Sequence, residues 1–226
     1  MNCLRTRLND GERFVVAAAL AAVLVLLTGG AKALATANNV WCVPSLSVNP
    51  SCTKVPTEAI PSQLDTIQGA VTAAAPGDVI MVGPGTYYES VTITTVDLTI
   101  LGAQAGKDAR YRDGSRNESI VDGSKTGNPP FAVVSPSAPE GEVVVIDGFT
   151  LQGDIAATSP AFPAGIFLGA QAVAIQVLNN IIQNNSAGVF AVGSLGVVIE
   201  HNLFKNNNAG VGRLWATVSI PLIPSP

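Results

Sequence analysis

The sequence predicts an all-β solenoid, a parallel β-helix of about five coils, for residues 63–213. From residue 79 onward, stretches of three to six residues rich in Val and Ile alternate with Gly, Asn and Asp. No helical pattern separates these stretches, which excludes ordinary βαβ units. The segment "NNIIQNNSAGVF" at Asn179 recurs as "HNLFKNNNAGVG" at His201, 22 residues later. A period of about 22 suits one coil of three short strands and three turns.

The repeat also predicts which residues of successive coils stack on one another. An offset of 22 superimposes Asn180 on Asn202, and it places apolar pairs and an Ala-Gly-Val run over their own copies. Successive coils of parallel strands lie about 4.8 Å apart, so we expect aliphatic stacks inside the solenoid. Because Asn tolerates left-handed backbone geometry at bends, we predict a structural ladder of Asn180 and Asn202 at one corner.

The first 37 residues are typical of a secretory signal peptide. Arg5, Arg7 and Arg13 precede an apolar run from Phe14 to Leu27, and small residues follow it. That run is short against the roughly twenty residues of a membrane span. We expect cleavage after residue 35 or 37 and a secreted or extracellular product, with cell-surface association left open and no stable membrane span.

The mature chain is acidic and retains two cysteines. Removal of residues 1–37 takes four cations and two acids from a chain of 12 basic and 16 acidic residues, which leaves a net charge of −6. Nucleic acid binding needs clustered cations, so we expect no such partner. Cys3 departs with the signal, and we expect Cys42 and Cys52 to form a disulfide within an irregular lead-in, residues 38–62.

One short amphipathic helix is predicted over residues 66–75. Ile67, Ala70, Val71 and Ala74 follow the spacing of one helical face, with residue 65 or 66 as N-cap and a Pro-Gly pair as the stop. A helix of about ten residues is marginal alone. It therefore needs a surface to cover.

The run "TIQGAVTAAAPGDVIMVGPGTYYESVTI…LTILG", followed by "VVVIDGFTLQG" and the Asn-rich coils, resembles the amino-terminal part of secreted right-handed parallel β-helix proteins of the pectin-lyase-like superfold. The resemblance covers about residues 63–213. It implies a single-stranded, right-handed parallel β-helix whose first coil is capped by the predicted helix. It does not imply one activity, because a fold hosts many functions.

The predicted solenoid ends near Arg213. Residues 214–226 contain three prolines and no Asn or Gly corner, and we expect an irregular tail there. A solenoid needs a polar terminal cap. Either this tail covers the last coil or the chain is a truncated portion of a longer protein, and the pattern favours truncation.

The sequence lacks the carboxylates that an enzymatic mechanism of this kind would need. Gln171, Arg213 and Trp215 resemble residues of pectin methylesterases, but Glu200 is the only acid between residues 177 and 212. That mechanism needs a carboxylate nucleophile and a carboxylic acid. His201 aligns with an Asn of the preceding repeat and is predicted to be a turn or surface residue. No catalytic residue, cofactor or metal site is predicted.

Two aspartates look more suited to turns than to hydrolysis. Asp122 and Asp147 each precede a glycine, where an Asp side chain accepts local backbone hydrogen bonds.

A basic loop is the most informative candidate for ligand contact. Lys107, Arg110, Arg112 and Arg116 surround Tyr111 and are half of the cations left in the mature chain. Guanidinium groups bind carboxylate or sulfate in fork geometry, so this loop could hold an acidic polysaccharide. Acidic residues are interleaved with the cations, and local pairing is the favoured alternative.

We therefore expect a non-catalytic extracellular or cell-surface module for glycan binding or assembly. The alternative is a carbohydrate-active enzyme or a fragment of one, of polysaccharide lyase or pectin esterase type, acting on acidic polysaccharide. That alternative expects Arg110, Arg112 and Glu200 to converge on one groove.

Overall fold

A computed structural model of the chain describes residues 39–44, 66–113, 117–134, 142–153, 164–170, 172, 174–214 and 216–220. The predicted signal peptide and Cys52 lie outside these residues. The export signal and the Cys42–Cys52 disulfide therefore stay predictions. No helix among the described residues is both long and apolar enough to cross a bilayer.

Besides two single-turn 3-10 helices, Ala109–Tyr111 and Gly123–Lys125, the described elements are one α-helix and seventeen short strands. In chain order they are β1 (Val40–Val43), α1 (Ile67–Ala73), β2 (Val79–Val82), β3 (Gly85–Tyr87), β4 (Val91–Ile93), β5 (Leu98–Leu101), β6 (Ser119–Asp122), β7 (Phe131–Val133), β8 (Val144–Asp147), β9 (Phe149–Gln152), β10 (Ala164–Leu168), β11 (Ile175–Leu178), β12 (Ile181–Gln183), β13 (Ala187–Val192), β14 (Val197–Glu200), β15 (Leu203–Lys205), β16 (Ala209–Leu214) and β17 (Val218–Ser219).

Every strand pairs in parallel with a strand one turn of the chain away. Sheet A has the order β1-β2-β5-β8-β11-β14-β17, sheet B the order β3-β6-β9-β12-β15, and sheet C the order β4-β7-β10-β13-β16. The chain thus passes from sheet A to B to C five times, and we number these passes coils 1 to 5, from β2–β4 to β14–β16. The predicted all-β, parallel β-helix of about five coils is confirmed.

The 22-residue repeat has the predicted structural meaning. Gln176 pairs with Val198 in sheet A, Ile182 with Phe204 in sheet B, and Val189 with Val211 in sheet C, each 22 positions apart. Coils 2 and 3 are longer because the segments at 102–118 and 153–163 are inserted between their strands, whereas Val79 of coil 1 pairs with Thr99, 20 positions away.

Aliphatic side chains stack along the inside of the solenoid. One stack in sheet A joins Ile80, Ile100, Ile146, Val177 and Ile199 in successive register pairs, and each is at most 3% exposed. Full burial of such a side chain contributes about 1.5–3 kcal/mol. The inward rows of all five coils therefore form one continuous core.

Two asparagines tie neighbouring coils together at the first corner, the bend from sheet A to sheet B. The Asn180 side chain is fully buried, accepts the Phe149 N–H at 2.9 Å and donates to the Ile146 carbonyl at 2.9 Å. One coil later, Asn202 accepts the Asn180 N–H at 2.7 Å and donates to the Val177 carbonyl at 2.7 Å. Each amide thus satisfies one donor and one acceptor of the preceding coil.

The second corner, from sheet B to sheet C, has the same kind of asparagine hydrogen bonds. Asn207 accepts the Asn185 N–H at 3.0 Å and donates to the Ile182 carbonyl at 2.7 Å, while Asn185 donates to the Leu151 carbonyl at 3.2 Å. The residue before each of these asparagines has a positive φ of 54–55°. Two parallel rows of asparagine side chains, one at each of these corners and each two residues long, therefore tie coils 4 and 5 together.

Helix α1 covers the open end of coil 1. Thr66 is its N-cap and accepts the Gly69 N–H at 3.0 Å. The Gln68 amide accepts the Thr92 N–H at 2.7 Å and donates to the Thr92 carbonyl at 3.3 Å, so it satisfies the outer edge of β4. Glu89 accepts the first two helix N–H groups at 3.1 Å each, although burial raises its pKa. The predicted helical cap is present.

The lead-in contributes a strand that the sequence pattern did not indicate. The four residues Val40–Val43 pair in parallel with β2 and extend sheet A by one strand. The Asp78 carboxylate accepts the Asn39 N–H at 2.8 Å and the Trp41 indole N–H at 2.9 Å, which fixes this strand. A four-residue run is too short to stand out from its polar surroundings. Burial opposes the charge of Asp78, yet these hydrogen bonds leave its pKa below the ordinary value.

Candidate functional site

The described part of the basic loop, residues 102–113 and 117–118, lies along the first corner and contacts several coils. The Gly102 N–H donates to the Asp147 carbonyl of coil 3 at 2.8 Å, and the Ala109 N–H donates to the His201 carbonyl of coil 5 at 3.0 Å. Gly148 permits this close approach, because a Cβ there would lie 2.1 Å from the Ala105 nitrogen. The solenoid wall therefore positions the loop.

Arg112 is the buried anchor of the loop. Its side chain is 8% exposed, its Nη2 donates to the Phe149 carbonyl at 3.2 Å, and its Nη1 lies 3.7 Å from a Glu118 oxygen. Glu118, itself 4% exposed, also accepts the Thr150 hydroxyl at 3.0 Å. Burial lowers the pKa of Arg112, whereas the charge of Glu118 opposes that shift. Arg112 thus holds the loop on coil 3.

Arg110 and Tyr111 face outward from the same loop. Arg110 pairs with Asp108 through Nε, at 2.9 and 3.1 Å from the two carboxylate oxygens, and through Nη2. The Tyr111 ring is 86% exposed, and the Arg110 guanidinium carbon lies 5.8 Å from its centroid. The Arg110 hydrogen bond lowers the pKa of Asp108 to about 2. A guanidinium held in place thus lies beside an exposed aromatic ring.

The other predicted members of the basic cluster differ in their placement. Lys107 donates to the Gln104 side chain at 3.1 Å and is exposed. Arg116 lies outside the described residues. The structure brings Arg110 and Tyr111 together on the outside and directs Arg112 inward.

The carboxylates that the sequence analysis assigned to turns hold the corners. Asp122 accepts the Ser124 N–H at 2.9 Å, and Asp147 accepts the Gly106 N–H at 3.1 Å and the Asn179 side chain at 2.8 Å. No three His, Cys, Asp or Glu side chains within the described ranges group into a potential metal site. The turn interpretation of these aspartates agrees with their contacts.

Of the residues of the enzymatic alternatives, Glu200 and His201 lie beside the basic loop, where the Ala109 N–H donates to the His201 carbonyl at 3.0 Å. Glu200 is the last residue of β14, and His201 forms the left-handed bend that follows, with φ of 55°. Arg213 is an exposed residue of β16. Gln171 and Trp215 lie outside the described residues.

The outer face of sheet B carries a polar row that crosses four coils. Asp122, Gln152, Gln183 and Lys205 are successive register partners in β6, β9, β12 and β15. Gln152 donates to Asp122 at 3.1 Å, and Gln183 donates to Gln152 at 2.9 Å. Parallel strands place such groups about 4.8 Å apart. The face is thus a regular, polar strip at the C-terminal ends of these strands, beside the second corner.

A second pair of aromatic and cationic side chains lies at the second corner. The Lys125 ammonium is 3.4 Å from the centroid of the Tyr88 ring, and Tyr88 is 50% exposed. Neither residue was predicted from the sequence, because the two belong to different coils. Only the strand register could have indicated their proximity: Tyr87 of β3 pairs with Val121 of β6, and Tyr88 and Lys125 follow these two strands.

The basic loop, which contacts β9 through Glu118 and Thr150, and the polar row both border the outer face of sheet B, and we call these two features the sheet B surface. The surface combines an exposed ring, cations and amides, a combination suited to holding a polar ligand. No protein-family model, curated protein or solved structure matches this chain.

Proposed function

We propose that this protein is a secreted, non-catalytic member of the pectin-lyase-like superfold that binds acidic polysaccharide on its sheet B surface. The observation that carries the proposal is Tyr111, 86% exposed beside an oriented Arg110. A single exposed ring is ordinary on a protein surface, so it is the combination of the ring with an oriented guanidinium that favours a ligand here. The apolar face of the ring suits the C–H face of a sugar ring.

The charges around Tyr111 favour an acidic ligand. The Arg110 guanidinium has five N–H donors, and Asp108 engages its Nε and Nη2. Planar guanidinium groups suit carboxylate and sulfate. Lys107 adds an exposed cation on the same loop, and Lys205 adds one at the end of the polar row.

We infer a non-catalytic role because three of the carboxylates near the loop, Asp108, Glu118 and Asp147, have structural partners. Asp108 is paired with Arg110, Glu118 with Arg112 and Thr150, and Asp147 with backbone and amide donors. A general acid at neutral pH needs a raised pKa, whereas the pKa of Asp108 is lowered. The carboxylates of this corner therefore suit a scaffold.

Affinity electrophoresis on polygalacturonate, alginate and dextran tests the proposal. We expect retardation by the two acidic polymers, weakened by salt, and none by dextran. Tyr111→Ala should weaken binding about two- to thirteenfold, which corresponds to the 0.5–1.5 kcal/mol of an aromatic contact. Tyr88→Ala is the matched control for loss of an exposed tyrosine, and it should have the smaller effect.

Two results would contradict the proposal. Equal binding by Tyr111→Ala and the unchanged protein would remove the loop from the site. Unsaturated product released from polygalacturonate or alginate, with or without calcium, and lost in Arg110→Ala would favour the enzymatic alternative.

A further inference from the structure

The basic loop covers part of the outer face of sheet B. Side chains alternate along a strand, so Thr150 and Ile181 point outward, two residues before Gln152 and Gln183 of the polar row. Thr150 and Ile181 are nevertheless only 1% and 3% exposed. Thr150 donates to Glu118 of the loop at 3.0 Å. The outer face is thus covered beside the first corner, whereas the polar row, farther along each strand, is partly exposed.

Arg110 and Tyr111 belong to the part of the loop that passes coil 4. The residue before this pair donates its N–H to the His201 carbonyl of coil 5, and the residue after it, Arg112, donates to the Phe149 carbonyl of coil 3. Two residues of a strand span about 6.6 Å, which is the step from the covered positions to the polar row. The loop therefore obstructs a long ligand that crosses the strands, and the unobstructed direction follows the polar row, parallel to the solenoid axis.

Asp122 sets the orientation of the amides in this row. A carboxylate only accepts hydrogen bonds, so Gln152 directs its NH₂ group towards Asp122, at 3.1 Å. The Gln152 oxygen then accepts the NH₂ group of Gln183 at 2.9 Å. Each NH₂ group has two donors and uses one of them within the row, which leaves the other for a ligand. Burial opposes the charge of Asp122, yet its hydrogen bonds to Ser124 and Gln152 leave its pKa below the ordinary value.

The charge changes sign between the two ends of the row. Asp122 is the acidic end, at coil 2, and Lys205 is the basic end, at coil 5. Three steps between parallel strands separate them by about 14 Å. Lys125 offsets part of the charge of Asp122, but its ammonium lies 3.4 Å from the centroid of the Tyr88 ring. A polymer that lies along the row therefore meets cations at one end, and amides and a carboxylate at the other.

We propose that the sheet B surface selects a linear glycan whose acidic residues are separated by neutral ones, and that this glycan lies parallel to the solenoid axis. The inference rests on the binding of acidic polysaccharide proposed above. A ligand carboxylate lies between Arg110 and Lys205, and hydroxyl groups of a neutral residue bind Gln152 and Asp122. A polymer with a carboxylate on every residue would bring one of them to Asp122. Asp122 is thus the residue that determines specificity.

Binding of hyaluronan and polygalacturonate to the full chain tests this specificity. Hyaluronan has a carboxylate on every second sugar residue, and polygalacturonate has one on every residue. We expect Asp122→Asn to strengthen the binding of polygalacturonate about fivefold, which corresponds to one pair of like charges about 4 Å apart in water. The binding of hyaluronan should change less than twofold. The measured quantity is the ratio of the two affinities, so the different backbones of the polymers cancel between variants.

Asp97→Asn is the matched control for the loss of one negative charge. Asp97 lies between β4 and β5, on the side of the solenoid where sheet C leads to sheet A. Its φ of 52° is one that Asn also tolerates. We expect this variant to leave the ratio of the two affinities unchanged.

Gln152→Ala tests the direction of the ligand. Gln152 lies two coils from Lys205, so it contacts only a ligand that follows the row, and we expect several-fold weaker binding of hyaluronan. Unchanged binding by this variant would contradict the axial direction. An unchanged affinity ratio in Asp122→Asn, with both polymers still bound, would overturn the specificity alone. Absence of binding by both polymers would overturn the proposed function as well.

Discussion

Replacement of Asn180 by Ala tests how strongly the asparagine rows stabilise the solenoid. The change removes the acceptor of the Phe149 N–H and the donor to the Ile146 carbonyl, and both residues are fully buried. A buried group that loses its partner costs about 1–3 kcal/mol. We therefore expect the free energy of unfolding to fall by about 2–6 kcal/mol.

Asn202→Ala is the matched control in coil 5. Asn202 makes the same two contacts to the preceding coil, but its side chain is only partly buried. Water can reach the groups that it leaves, so we expect a loss of about half that of Asn180→Ala. Urea unfolding measures both losses, provided that the m-value of each variant equals that of the unchanged protein. A loss for Asn180→Ala that is equal to or smaller than the loss for Asn202→Ala would refute the reasoning.

Three further perturbations test individual contacts. Arg112→Ala leaves Glu118 buried without its cation, so we expect a loss of about 3–5 kcal/mol in urea unfolding, and Arg112→Ala/Glu118→Gln should recover part of it. The folded-state pKa of Asp108 is lowered, so the contribution of its carboxylate to stability is present above about pH 4 and is lost as the pH falls towards 2. Carbon-detected NMR titration should give a pKa of about 2 for Asp108, and Arg110→Ala should raise this pKa. Gln68→Ala removes both bonds to the edge of β4 and should cost about 1 kcal/mol in thermal or urea unfolding, while an unchanged midpoint would show that the helix cap does not depend on this amide.

The fold was predictable where the sequence repeats. Coils 4 and 5 differ by 22 residues, so one alignment revealed the stacking of their strands and of Asn180 over Asn202. The strand β1 was not predictable in this way, because it has no copy and lies among Pro and Ser residues. Its place in sheet A depends on Asp78, more than thirty residues away.

The candidate site was predictable only as a group of residues. The sequence placed Arg110 and Arg112 in one basic loop, but it could not show that one faces solvent and the other lies against Glu118 and the Phe149 carbonyl. That difference arises from how the loop crosses coil 3. Tyr88 and its cation were missed for a related reason, since two residues from separate coils become neighbours through the strand register alone.

Disulfide trapping between coils 4 and 5 tests the stacking most directly. Gln183 and Lys205 are register partners on the outer face of sheet B, within the Cα separation that a disulfide requires. We predict that Gln183→Cys/Lys205→Cys forms an intramolecular disulfide in peptide mapping. Gln183→Cys/Phe204→Cys should not, because a shift of one residue points the side chain to the other face. Efficient trapping of the second pair, or none of the first, would contradict the stacking of residues 22 positions apart.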